Sequence, residues 1–192
     1  DNLIPYNNDP FIILTVAFLI IFGGIAPVMA IILPKFLKRE KLSPVITIVF
    51  NTTIALLFFG TLIFLISEYN GVLGEMNLAN KIMNAFFNSV SARTAGFSSV
   101  DLNPIDCGGF LILVFLMIVG GSPGGTAGGI KTTTFAILII TAYNTCLGRK
   151  NITRNREISH ESVYKAITLI FAYLFILMIS CFLLLTTQML SH

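Results

Sequence analysis

The chain has 192 residues, with 12 Lys and Arg against 9 Asp and Glu, a net charge of +3 and a mean hydropathy of +0.88. Only 11% of the residues are charged and 55% are apolar, where an ordinary soluble domain has about 25% charged. A soluble globular enzyme cannot hide that much apolar surface, the same hydropathy excludes disorder, and the dispersed cations form no patch suited to nucleic acid.

The first apolar run is Phe11 to Leu33, 23 residues without a charge. At 1.5 Å per residue it reaches about 34 Å, enough to cross a hydrocarbon core of roughly 30 Å. Gly23, Gly24 and Pro27 interrupt it, which membrane helices tolerate. It is expected to end at Pro34, before Lys35, Lys38, Arg39 and Lys41. The second run, Val45 to Ser67, has the same length, and its polar spot Asn51-Thr52-Thr53 is expected to face protein. Residues 68–106 are mixed. Leu78, Ile82, Met83, Phe86 and Phe87 alternate there with Asn and Ser, which predicts a helix over 79–90, about half a membrane span. It leads into Ser91 to Val100, where Gly and small polar residues replace helix formers.

A third apolar region runs from Cys107 to Leu147, too long for one crossing, and is broken by GGSPGGTAGGIKTTT at 120–134. A last run, Ala166 to Leu190, follows a polar loop carrying Arg149, Lys150, Arg154, Arg156 and Lys165. The loops 34–44 and 148–165 hold four and five cations, whereas 68–106 holds Lys81 and Arg93 against Glu68, Glu75, Asp101 and Asp106. The positive-inside rule puts both basic loops in the cytoplasm and 68–106 outside. Both conditions hold together only if 68–106 makes no full crossing. The count is four spans plus one re-entrant segment.

Two constellations carry chemistry. A half-span helix turns its negative dipole end toward the bilayer centre. An extended Thr94-Ala95-Gly96-Phe97 after it would line up carbonyls that replace the water shell of a cation. The plain alternative is an external amphipathic loop that turns at Gly96. The second constellation is 120–134, with six glycines, Pro123 and four threonines. Gly125 stands at P-loop distance from Lys131-Thr132, but the residue before the Lys is Ile130 where the motif needs Gly, so phosphate binding is set aside. Four GxxxG pairs allow small-residue helix packing. Pro123 and the glycine density instead favour a break at mid-membrane that acts as a plug or hinge, with Lys131 a functional candidate by its position.

Cys107, Cys146 and Cys181 lack metal or redox spacing and read as reduced packing residues. His160 and His192 have no partners at ligand spacing, and the glycosylation patterns at Asn51 and Asn151 fall in a span and on the cytoplasmic side. No carboxylate pair or nucleophile constellation lies within the spans, so the chain reads as no enzyme. It begins at Asp1 rather than Met and shows no signal peptide, which suggests a processed or shortened N-terminus.

NSVSARTAGFSSVD (88–101) followed by GGSPGGTAGGIKTTTF (120–135) resembles the third pore repeat of the Trk/Ktr/HKT potassium transporters. The resemblance implies an all-α membrane protein built from helix, re-entrant pore helix with filter loop, and helix. It implies that 45–148 is one complete repeat. Residues 1–44 would then be the closing helix of the preceding repeat with its loop, and 149–192 a loop with the opening helix of the next. The family's filter maps onto Thr94, Ala95, Gly96 and Phe97, with Gly96 tied to potassium preference. Its gating loop maps onto Gly120, Gly121, Ser122, Pro123, Gly124, Gly125, Thr126, Ala127, Gly128, Gly129 and Lys131. Potassium is the transported ion, with no cofactor. The partners implied are the lipid bilayer, a second copy in a homodimer, and cytoplasmic nucleotide-binding regulatory subunits, at the plasma membrane of the cell. Three filter segments of such a pore are missing, so the chain reads as part of a longer protein. The rival reading is a non-conducting membrane scaffold packed through small residues.

Overall fold

The computed structural model describes residues 2–37, 44–123, 128–148, 152–153, 156–157 and 159–190. Lys38, Arg39, Lys41, Gly124, Gly125, Thr126, Ala127, Arg149, Lys150 and Arg154 lie outside the described residues. Two compact units form, residues 1–133 and 134–192.

The first unit opens with a single 3-10 turn, Ile4–Tyr6, and then α1, Pro10–Leu37. Asp9 starts α1 by accepting the amides of Phe11 (3.0 Å) and Ile12 (3.3 Å), and Pro10 takes the first helical position, where no amide partner is needed. α1 runs through Pro34 instead of stopping there. A proline removes one backbone bond, and Lys35 in the last turn complements the carbonyl end. α2 spans Pro44–Ser67. Thr53 is buried as expected, but Asn51 beside it is exposed.

α3 is Leu78–Thr94, 17 residues against the 12 of 79–90. Asn77 caps it by accepting the amide of Asn80 at 2.9 Å. It packs against α1, α2 and α4, and α2 also packs against α4 (Cys107–Ile118). α3 is therefore enclosed on several sides. Ile13 and Ala17 of α1 meet Met83, Phe87 and Val90 in one core cluster. Phe64, Ala85 and Leu113 join Leu73 and Val100 in a second. Gly60 of α2 lets the helices close up, since a Cβ there would strike Ser89 Oγ and come within 2.8 Å of Leu116.

The connection from α2 to α4 is stapled by a fully buried carboxylate. Glu68 accepts the amide of Val72 through Oε2 (3.2 Å) and that of Asp106 through Oε1 (3.0 Å). Lys81 and Arg93, the two cations of the segment expected outside, are both buried. Lys81 Nζ donates to Tyr69 O (2.7 Å) and sits 4.0 Å from the Tyr69 ring centre. Neither cation is a solvent charge.

Among the described residues, the third apolar region breaks where expected. α4 ends at Ile118, and α5 covers Thr132–Cys146. Their 12 and 15 residues give about 18 and 22 Å, so neither crosses a bilayer alone. The described residues between them are not helical, which rules out the continuous GxxxG helix there.

In the second unit a two-residue antiparallel pairing, Ile152 with Glu157 and Thr153 with Arg156, precedes α6 (His160–Leu190). α6 starts six residues before the apolar run, because the Ser159 hydroxyl accepts the amide of Ser162 and Glu161 pairs with Lys165 at 2.6 Å. Lys165 is thus helical rather than in the loop. Among the described residues two helical stretches, Ile46–Ser67 and His160–Thr187, are long and apolar enough to cross a membrane, and Pro10–Ile25 and Cys107–Ile118 are shorter apolar stretches. The cysteines are free, as read, but exposed rather than packed.

Candidate functional site

One face of α3 carries Asn80, Asn84, Asn88 and Ser91, spaced four, four and three apart. These side chains hold the chain on both sides of the helix. Asn80 Nδ2 donates to Asn8 Oδ1 (2.7 Å) and Asn84 Nδ2 to the carbonyl of Asn7 (2.9 Å), tying the segment before α1 to α3. Asn88 Nδ2 donates to Ser99 Oγ at 3.1 Å. The Ser91 hydroxyl donates to the carbonyl of Phe97 at 2.6 Å, and the amide of Leu3 donates to the carbonyl of Ser98 at 2.7 Å. The segment after α3 is thereby folded back along the helix that precedes it. Sequence reading noticed the Asn and Ser positions but assigned them no role. Their i, i+4 recurrence inside an otherwise apolar helix was the available signal.

The expected extended stretch 94–97 is shorter than predicted. Thr94 closes α3, and Ala95 keeps right-handed helical angles (φ −112°, ψ −37°). The amides of Ala95 and Gly96 both bond the carbonyl of Ser91, at 2.9 and 3.0 Å, so the helix winds on until Gly96. Gly96 breaks it with φ +75°, the left-handed conformation that ends helices and that glycine adopts without cost. No hydrogen bond from a described residue reaches the carbonyls of Ala95 or Gly96. The Phe97 carbonyl is engaged by Ser91, and its ring is partly exposed.

The second constellation is a closed loop. The amide of Gly120 donates to the carbonyl of Ile130 (3.0 Å), and the amide of Ile130 to the carbonyl of Ile118 (2.8 Å). Val119 and Ile130 thus form a parallel bridge. The amide of Thr132 adds a bond to the carbonyl of Gly121 (3.2 Å). Two glycines permit this stem. A Cβ at Gly120 would collide with the carbonyl of Gly128, and Gly129 has φ +75°. Ser122 fastens the loop to α1, its amide and hydroxyl both donating to the carbonyl of Gly24, at 3.3 and 2.7 Å. Arg93 fastens it to α3, with Nη2 donating to the carbonyl of Gly120 at 3.0 Å. Lys131 is half-buried between the buried Ile130 and Thr132. Pro123 is half-buried, Gly121 and Ser122 are buried, and Gly128 is exposed. The structure therefore brings Gly120, Gly121 and Ser122 together with the end of α3, within four residues of Gly96. Arg93, Thr53 and Gly24 join that junction, a role that sequence reading assigned to none of them.

Residues 1–191 match the TrkH cation transport protein family. The potassium/sodium uptake protein NtpJ of Enterococcus hirae is 32% identical over 190 residues, covering 98% of this chain and 42% of that one. The Ktr system potassium uptake protein B of Bacillus subtilis is 30% identical over 98% of this chain and 43% of its own length. Its namesake from Vibrio alginolyticus is 33% identical over 98% and 42%. The chain spans about two fifths of the length of these relatives.

Proposed function

The chain belongs to the TrkH family of cation transport proteins, and on that premise we propose that it supplies one filter segment and the gate of a potassium-uptake pore. The observation that carries the reading is the end of α3. There a helix C-terminus, a left-handed Gly96 and two carbonyls, those of Ala95 and Gly96, that no described residue engages occur together. The carbonyl end of a helix carries about half a negative charge. Carbonyls held there replace the hydration shell of a potassium ion with oxygen ligands. Ser91 and Leu3 engage the neighbouring carbonyls of Phe97 and Ser98, and in this reading 94–96 is the stretch of the filter 94–97 whose carbonyls meet the ion. No covalent bond changes; the ion sheds water, passes and is rehydrated.

The loop 120–131 is the gate in this reading. Its first residues are tied to the end of α3, its described ends are joined in a stem, and Gly120 and Gly129 stand where backbone must pass backbone. The described residues at its two ends are non-helical, and such backbone at membrane depth is compatible with burial in protein or a water-filled path, not with lipid. α3 is the re-entrant pore helix, and the basic loops 35–41 and 149–156 face the cytoplasm of a multi-pass plasma-membrane protein. By family resemblance the whole protein is a homodimer opened by cytoplasmic nucleotide-binding subunits. Potassium is the ion common to the names of the three relatives above, one of which also names sodium. The test is potassium-limited growth and rubidium uptake by the full-length parent in an uptake-deficient host. Restored uptake is expected. A parent that reaches the membrane and carries no rubidium would support the scaffold reading instead.

A further inference from the structure

We infer that Arg93 is the latch of this gate, a positioning residue that ties the stem of the loop to the helix bearing the filter. The inference rests on the gating role proposed above and adds the residue that holds the closed state. Arg93 is only 8% exposed. Its Nη2 reaches the carbonyl of Gly120, the residue whose amide closes the stem on Ile130. Among the described residues no carboxylate pairs with it. A buried guanidinium with so few partners is costly, and an apolar side chain would serve packing better.

The surroundings show what the charge holds. A small cavity of about 20 Å³ lies beside Arg93, walled by Gly24 of α1, Thr53 of α2 and Gly121 of the loop. Thr53 Oγ1 and Arg93 Nε are both buried there without a protein partner. The space suits one water, with these two groups among its bonds. Ser122 anchors the loop to the carbonyl of Gly24 on the same wall. Three helices thus meet the first residues of the loop at one point, and Arg93 is the group that spans from α3. Opening requires the Gly120 carbonyl to leave the guanidinium. The abandoned charge then favours return, so the latch biases the gate shut. It lies three residues before Gly96, which links loop position to the filter helix directly.

The experiment uses the full-length parent stripped of native cysteines, with Ile130→Cys as reporter. Ile130 is buried in the closed stem, so a thiol there gains access only when the stem opens. Methanethiosulfonate modification rate and rubidium uptake without the regulatory subunit are read against the reporter protein alone. Arg93→Gln and Arg93→Met are expected to raise both about ten-fold, with potassium-over-sodium preference kept, since a charge-assisted bond is worth at least that factor. Arg93→Lys should fall between. Thr53→Val, which keeps Arg93 and removes only the hydroxyl, should act in the same direction and more weakly. A merely structural Arg93 would lower uptake and leave the reporter rate unchanged. Reporter rate and uptake equal to the reporter protein in Arg93→Gln would overturn the latch, as would lowered uptake with an unchanged rate. If Arg93→Gln and Arg93→Met do not reach the membrane, Thr53→Val and Arg93→Lys decide, and no rise in either overturns it. Deleting residues 124–128 separates the two ideas. Raised flux on deletion with inert Arg93 variants removes the latch alone, and unraised flux on deletion removes the gate and the latch together.

Discussion

Replacing Gly96 tests the filter assignment most directly, because the structure predicts both the kind and the size of the effect. Gly96 sits at φ +75°, and a Cβ built on it has nothing within 4 Å. A side chain at this position therefore meets no steric obstacle, and the whole penalty is backbone strain. A left-handed conformation costs a residue other than glycine roughly 1–2 kcal/mol. That is small against the roughly 5–15 kcal/mol that stabilises a folded domain, so Gly96→Ala and Gly96→Ser should fold and reach the membrane. Locally the same energy shifts the population of the filter backbone by a factor of about 5–30. The carbonyls of Ala95 and Gly96 would then spend most of their time misaimed. Rubidium uptake by the full-length parent, in competition with potassium and sodium, reads this out. Potassium-over-sodium preference should fall about 5- to 30-fold in the Ala and Ser variants. Gly96→Asn should lose less, because Asn enters the left-handed region more readily. Unchanged potassium affinity and sodium exclusion in Gly96→Ala, at normal membrane levels, would refute the reasoning.

Other outcomes follow from the same geometry. Deleting residues 124–128 should raise ion flux and make it largely independent of the regulatory subunit, measured as rubidium uptake with and without that subunit; flux no higher than the parent's in a folded variant would make the loop a packing element. An impermeant thiol reagent added outside intact cells should label Asn70→Cys and not Ile152→Cys, and the reverse pattern would overturn the orientation read from the basic loops. Glu68→Ala removes the acceptor of the part-buried amides of Val72 and Asp106, at about 0.5–1.5 kcal/mol each. The thermal midpoint of the purified parent should drop clearly in Glu68→Ala and by less in Glu68→Gln, which retains one acceptor oxygen; equal midpoints for all three would show that the staple contributes nothing.

The parts of the fold legible in the sequence are those written in hydropathy and backbone chemistry. The charge-free run before Ser67 became α2, and the glycine-rich break between Ile118 and Thr132 is non-helical where described. The ends of elements were less legible. Composition changes at Ser91, yet α3 continues to Thr94, because Ser, Ala and Arg still accept helical angles and the amides of Ala95 and Gly96 find the Ser91 carbonyl. The stop is set by one left-handed glycine, not by the start of a polar stretch. Pro34 looked like a terminator and α1 passes through it, while α6 begins early on a serine cap and an ion pair. The cysteines show the other limit: apolar neighbours in the chain did not place them in the packed interior.

From sequence Arg93 was only counted among the charges of 68–106, and the reason its contact stayed hidden is physical. A cation flanked by small polar residues reads as a solvent charge, and the usual evidence against that is a carboxylate at a suitable spacing. Here the acceptor is a backbone carbonyl at Gly120, and every residue carries one, so no sequence pattern marks it. Sequence marks the stretches where helix formers give out, 91–100 and 120–134, but not which side chain takes up the freed carbonyls. Two side chains of α3 take up such carbonyls and another takes a hydroxyl. Ser91 holds the Phe97 carbonyl, Asn88 holds the Ser99 hydroxyl, and Arg93 holds the Gly120 carbonyl. The first two shape the stretch after the helix, and the third reaches across to the loop. A single enclosed helix therefore carries both the proposed filter end and the proposed gate contact. Gly96 and Arg93, three positions apart, should accordingly separate in function. Changes at Gly96 should alter which ion passes, and changes at Arg93 how often the path is open.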